Sequence, residues 1–575
     1  MEERAMHSLI RGPRAIAMLA IVGLAAGACS PGASTGPGST GSAATPGATA
    51  AASQPATIPQ GGTLSVAYAS DLQHLDPAVM YDTVGIASVR LMFEAPLTYD
   101  NRTTQLVPLL VTDMPTISND GKTYTLKFKT GINFVKADGS VLREMTADDF
   151  VYSLNRVLDP NLKPSPSPVA SAFFGNIVGA ADVLAGTAKT ASGIKATDAT
   201  TVQIDLVKAD ATFNNILATT FSSVVPKELA GEDTAAFDSA PVGTGPYLLG
   251  AYTKGQQATF VANKHYWQAG QPYLDEIDIK VLVDDNAALQ QVQAGTLDIL
   301  GDQIPSGSFT QVTTDPQYAD QIVRNSLVET QYLSMDTSQP SDGPLSKLKV
   351  RQAIEAAIDK PNLIKIYHGA AVVADCILPP AMIGFDPTCK PYTFDQTAAK
   401  ALLADAGYPT GFKTTIYTDT TDPDPKVAAA IQQDLAAIGI TVDVVTQTFD
   451  TFLNTIETPH VAPLVYVGWF QDYPDPSDFI DPILSCASAV KGGANAAWWC
   501  DPAIDTRAAA ARGETDATKR VSEYQAIQKD IMAAAPWVPL MHQEWVTLES
   551  KRVGGFVIHP VWLYSLRDVY IKPGT

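Results

Sequence analysis

Along the chain the apolar positions switch between a period of two and a period of three to four, which predicts a mixed α/β protein. Leu64, Val66 and Tyr68 mark a short strand that runs into a loop over residues 71–81. Ser118-Asn119-Asp120-Gly121 is a tight-turn signal, and the alternation of Tyr124, Leu126 and Phe128 with Thr125, Lys127 and Lys129 predicts a strand with one wet face after it. Thr146 is placed to cap a helix whose first turn carries Asp148 and Asp149, favourable to the helix dipole. Its stripe is Phe150, Leu154, Val157 and Leu158, and Asp159-Pro160 ends it. Asp284 and Asp285 open an αβ unit with Ala288, Leu289 and Val292 on one face, Gly295 as the stop and a strand over 297–300. Val350, Ala353, Ile354, Ala357 and Ile358 form a further helical stripe. A strand over 414–417, a helix over 426–438 ended by Gly439, and the alternating Ile440, Val442 and Val444 make a β-α-β element long enough for a crossover. No sequence repeat is visible, which argues against solenoids and propellers.

With 575 residues, 46% of them hydrophobic and 17% charged, the chain can bury a large core. Its net charge of −21, without a concentrated basic patch, argues against nucleic acid as a partner. The N-terminus departs from this average. Arg4, Arg11 and Arg14 precede an apolar run over 15–26 that is short for a membrane span but suits an export signal. Gly27, Ala28 and Cys29 follow, an ending that resembles the lipobox of bacterial lipoproteins, although Ala26 stands where that box usually has Leu. The resemblance implies lipidation of Cys29 and a signal peptide over 1–29. Residues 30–60 carry no charge and consist largely of Gly, Ser, Thr, Ala and Pro, so they read as a flexible tether spanning on the order of 30 Å. The expected location is extracytoplasmic: anchored by lipid to the outer face of the cell membrane, or periplasmic.

Four further cysteines, Cys376, Cys389, Cys486 and Cys500, are an even number in a chain that reads as exported, and two disulfides are expected. Pairing neighbours would close two short loops, each worth about 3 kcal/mol in the chain-entropy model, while the other two connectivities stay open. No C-x₂-C spacing or His cluster accompanies them, so no zinc site is expected.

Several segments line up with one family. Residues 106–110, the run 120–126, Gly131, Phe134 and 146–150, then 243–247, 263–267, 350–354 and 357–359 resemble the family 5 bacterial solute-binding proteins, which include the oligopeptide-, dipeptide- and nickel-binding proteins of ABC importers. The resemblance runs from about residue 61 to the C-terminus. It implies an α/β, two-lobed periplasmic-binding-protein fold with an extra subdomain and hinged lobes around a central cleft. On that template 61–99, 240–336 and 535–575 make lobe I, 100–239 the extra subdomain and 337–534 lobe II. Lobe closure over a ligand turns binding into a shape change that a permease and its ATPase can read.

The segment Trp469-Phe470-Gln471-Asp472-Tyr473 carries the expected chemistry. In oligopeptide-binding relatives a Trp-x-x-Asp-Tyr at this place puts the Asp against the ligand's α-ammonium group, and an enclosed cation needs such a partner. The alternative reading makes Asp472 one of a turn-forming series with Asp475, Asp478 and Asp481. Trp469, Tyr473 and Tyr81 are candidates for the cleft wall, and the backbone of Leu75, Phe470 and Gln471 for pairing with an extended peptide. No Arg occupies 420–426, where dipeptide binders are expected to clamp a carboxylate; only Lys426 is available. His74 between Asp71 and Asp76 is expected to be a surface loop residue, and neither metal nor cofactor is expected. Beyond the tether there is no nucleophile-elbow, zinc-protease or phosphate-loop pattern, so binding without catalysis is the expected activity. The expected partners are a peptide or other small amine-bearing solute, an ABC permease and ATPase, and the membrane through the lipid; the protein is expected to be a monomer. Nickel chelates, opines or sugars are the alternative ligands, and an occupancy sensor the alternative role.

Overall fold

In the computed structural model residues 58–574 are described. The expected export signal, Cys29 and nearly all of the expected tether lie outside them. No helix among the described residues is long and apolar enough to cross a membrane.

Three sheets organise the body. A five-stranded sheet has the order Tyr247–Thr253, Gln257–Ala262, Glu276–Lys280, Thr63–Ala67, Ile299–Leu300. Thr63–Ala67 pairs in parallel with both neighbours, and Leu64 and Val66 are fully buried beneath it. The strand expected over 297–300 is Ile299–Leu300, and Asp298, just before it, donates its amide to the Ser65 carbonyl of the adjacent strand at 3.1 Å. Its carboxylate accepts from the Ser65 amide and from Arg552.

A four-stranded antiparallel sheet joins Thr116–Ser118, Thr123–Lys127, Thr201–Asp205 and Ile194–Ala196. The expected hairpin is present: Asn119 and Asp120 take φ values of 52° and 51°, left-handed backbone that Asn and Asp tolerate. The expected helix is Ala147–Val157, with Phe150 and Leu154 fully buried. Asp149 does more than complement its dipole. Asp149 is buried, accepts from the Thr146 amide at 2.9 Å and receives a guanidinium fork from Arg143 at 2.7 Å.

The largest sheet runs Ile322–Ser326, Trp537–Leu548, Glu329–Met335, Leu464–Phe470, Lys413–Asp419, Thr441–Gln447, with Ala371–Val373 also on Trp537–Leu548. The β-α-β element is borne out. Lys413–Asp419 and Thr441–Gln447 are parallel and in register from Lys413↔Thr441 to Asp419↔Gln447, joined by the helix Asp424–Ala437 and by Gly439 at φ 96°. Glu329–Met335, on lobe I by the expected boundaries, is paired over its whole length with Leu464–Phe470 of the expected lobe II. The sheet therefore passes through both assignments. Disulfides join Cys376 to Cys389 and Cys486 to Cys500.

Candidate functional site

The strand Leu464–Phe470 lies between Glu329–Met335 and Lys413–Asp419, so its end is fixed from both sides. Gln471 continues the ladder, its amide donating to the Val328 carbonyl at 3.1 Å. Pro474 and Pro476 then prevent further pairing, since neither has an N–H to give. The chain turns into the short 3₁₀ segment Pro476–Phe479, capped by Asp475, whose Oδ1 accepts from the amide and hydroxyl of Ser477.

The four acids of this turn divide in two. Asp475 pairs with Arg520 at 2.6 Å, both nearly buried. Asp481 pairs with Arg512 at 2.9 Å, and the same guanidinium holds Asp210 at 2.9 Å. Asp472 and Asp478 pair with no basic side chain among the described residues. Asp478 is 2% exposed and accepts from the Asp472 amide at 3.0 Å and from the Trp469 indole N–H at 3.2 Å. Asp472 Oδ1 accepts from the Tyr81 hydroxyl at 2.7 Å.

Two carboxylates close together away from water resist ionisation. Loss of water pushes the Asp472 carboxyl up to about 6, with the Tyr81 hydrogen bond pulling the other way. Asp478 is raised well above the usual carboxylate range, first by burial and then by Asp472. Asp472 is densely surrounded yet keeps part of its surface accessible.

Around this pair, Tyr473 is 7% exposed and meets Phe173 edge-on at 6.1 Å, while the Tyr81 ring lies 5.7 Å from Phe221. Trp469, at 2% exposure, packs in the cluster of Phe479, Ile480 and Trp537 and fixes Asp478 with its N–H. The Phe470 side chain is half-buried. The Gln471 side chain donates to the Val561 carbonyl at 3.3 Å, and its Oε1 is buried without a partner. Leu75 is 1% exposed, and its amide donates to Asp238 Oδ1 at 2.7 Å. The Leu75 and Gln471 amides, expected to face an extended guest, are thus engaged by acceptors of the protein itself. His74 Nδ1 lies 2.9 Å from the same Asp238, which raises the imidazole pKa. Lys426, the only cation in the expected carboxylate-clamp region, is largely exposed and paired with Asp422 at 2.5 Å. No group of three or more His, Cys, Asp or Glu among the described residues is arranged to hold a metal.

Sequence reasoning missed Asp478 as the anchor of the motif, and also Arg520, Arg512, Asp238 and Val561. Only the proximity of Asp478 to Asp472 in sequence hinted at any of these contacts; Val561 lies 90 residues from its partner.

Two surface hollows of about 400 and 370 Å³ lie away from these residues, one lined by Thr253, Gln257 and Lys280, the other by Tyr152, Arg156 and Lys227. The candidate site therefore rests on the Asp472 electrostatics rather than on cavity size.

Residues 105–491 match the family model described as bacterial extracellular solute-binding proteins, family 5 Middle. Heme-binding protein A of Haemophilus influenzae is 29% identical over 487 residues, covering 82% of this chain and 86% of that protein. Di/tripeptide-binding protein 2 of Pseudomonas aeruginosa is 29% identical over 527 residues, covering 88% and 94%. Among solved structures, the periplasmic binding protein DppA from Helicobacter pylori in complex with the peptide STSA superposes with a TM-score of 0.71 at 26% identity, covering 89% of this chain and 98% of that one. The family match, the shared fold and the similarity to binding proteins agree with the resemblance read from the sequence, and the chain belongs to the bacterial extracellular solute-binding proteins of family 5.

Proposed function

We propose that this protein captures a peptide, or a related amine-bearing solute, between hinged lobes and hands it unchanged to the permease and ATPase of an ABC importer. The observation that carries this reading is the Asp472–Asp478 pair, two enclosed carboxylates without a cationic partner among the described residues, touched by a Tyr81 hydroxyl from a distant part of the chain. An α-ammonium group beside Asp472 gains a charge-assisted bond where water is already largely excluded. Gln471 Oε1 suits an N–H of the same guest. The di/tripeptide-binding relative and the peptide complex of DppA support peptides as the ligand class.

Tyr81 belongs to the proposed lobe I (61–99, 240–336 and 535–575) and Asp472 to the proposed lobe II (337–534), so closure brings them together. The extra subdomain, 100–239, supplies Phe173 and Phe221 to the wall. Glu329–Met335 and Trp537–Leu548 are the strands through which the lobes communicate. Cys29 carries the lipid that keeps this monomer at the outer face of the membrane.

Native mass spectrometry of freshly purified protein, before and after partial unfolding, tests the reading. The expected result is an intact cationic or zwitterionic solute of roughly 200–1000 Da. Release of hydrolysed fragments would argue for catalysis, and release of a tetrapyrrole would move the ligand class to that of the heme-binding relative.

A further inference from the structure

Arg90 stands on the last turn of the helix Thr83–Met92, which begins just after Tyr81. Its guanidinium lies 4.3 Å from the centroid of the Trp562 ring, yet it makes no hydrogen bond or ion pair with any described residue. A guanidinium removed from water normally has its donors matched. Other arginines here follow that rule: Arg156 has Asp76, Arg520 has Asp475 and Arg567 has Glu94. Arg90 does not. Loss of water, with a smaller push from Arg567, pulls its pKa down to about 9. Like Asp472, it is densely surrounded but keeps some accessible surface.

The neighbouring ring repeats the pattern. Trp562 is 6% exposed, and its indole N–H is buried without an acceptor. Its orientation is fixed by His559, whose Nδ1 accepts the amides of Val561 at 3.0 Å and Trp562 at 3.2 Å. Nε2 of that ring must then carry the proton and donate to the Asp100 carbonyl at 2.8 Å. These donors adjoin the candidate site. The Val561 carbonyl accepts from Gln471, and Val561, Trp562 and Tyr473 share one apolar cluster against which Tyr81 packs.

We infer that Arg90 and the Trp562 indole N–H form an anion subsite of the same cleft, taking the carboxylate of a zwitterionic guest whose ammonium lies at Asp472. This rests on the peptide reading above. The subsite and the Tyr81 hydroxyl that meets Asp472 lie at the two ends of one segment, from Tyr81 to Arg90. It supplies from lobe I the carboxylate partner that Lys426 does not.

Alanine peptides of two to five residues, each as free acid and as C-terminal amide, are titrated calorimetrically into ligand-stripped full-length protein. For at least one length the wild type binds the acid about tenfold or more tighter than the amide. In Arg90→Gln that gap shrinks to within about twofold, and Trp562→Phe, which keeps a ring but lacks the N–H, narrows it in part. If Arg90→Gln does not fold, Arg90→Met, which keeps an unbranched stem against the Trp562 ring and removes the charge, replaces it with the same narrowing expected. Asp472→Asn weakens acid and amide alike. Equal acid and amide affinities in the wild type, or a gap that survives both the Arg90 and Trp562 changes, overturn the subsite and leave the amine site standing. A wild type that binds no peptide in either form contradicts both.

Discussion

Within ten residues this protein uses the same side chain in two ways. Asp475 and Asp481 each face an arginine, at 2.6 and 2.9 Å, and fasten the turn to the helices Ala517–Ala534 and Pro502–Gly513. Asp472 and Asp478 alternate with them but share only neutral donors: a tyrosine hydroxyl, an indole and an amide. A carboxylate satisfied by a cation of its own protein holds structure. One left with neutral donors and with part of its surface accessible is an electrostatic demand that a guest can meet. Residue type therefore decides neither role; the partner does.

Breaking the structural half is expected to give the largest effect. Arg520→Met leaves Asp475 buried without its cation and is expected to lower unfolding stability by about 3–5 kcal/mol, measured by denaturant titration, while the affinity of the remaining folded protein for its solute changes little. A fall in affinity as large as the fall in stability would show that the two halves are not separable.

Proton competition sharpens the functional half. With the Asp472 carboxyl at about 6, affinity for an amine is expected to decline by about tenfold per pH unit below that value. Ligand-free stability moves the opposite way. Between the ordinary aspartate value of 3.8 and about 6 the folded state keeps a proton that the unfolded chain has lost, so this group's contribution to stability falls as pH rises through that window. Asp472→Asn should flatten both dependences. Calorimetry and thermal melts across pH 4 to 7.5 check this as a difference from wild type, because Glu355 and Glu549 are also raised, to about 7, by burial. The smallest effect is expected of Tyr81→Phe. Loss of a single hydroxyl donor to Asp472 should change solute affinity by about 1 kcal/mol, with little effect on stability, and should raise the pH at which binding is half lost.

Much of the fold was legible because its signals are local. The Asn119-Asp120-Gly121 turn, the Thr146 start and the Gly439 stop are set by backbone chemistry within a few residues. Glu329–Met335 was not read as a strand. It is buried on both faces and carries Glu329, Gln331 and Ser334 inside, so it has neither alternation nor a continuous apolar run. Trp537–Leu548 escaped in the same way. At the site, Asp472 could be reached through the Trp-x-x-Asp-Tyr resemblance, but its distinction from Asp475 could not. That distinction depends on Arg520, 45 residues away, and on Tyr81, 391 residues away. Arg90 carried no sequence signal at all, because an unmatched donor is defined by what surrounds it in space.

The most direct test of the central claim is a titration of the solute recovered from the protein, together with its N-acetylated form, into wild type and Asp472→Asn. Wild type should bind the free amine and lose about 2–5 kcal/mol on the acetylated form, and Asp472→Asn should bind both equally weakly. Undiminished affinity of Asp472→Asn for the free amine, or equal affinity of wild type for the two forms, would contradict the account.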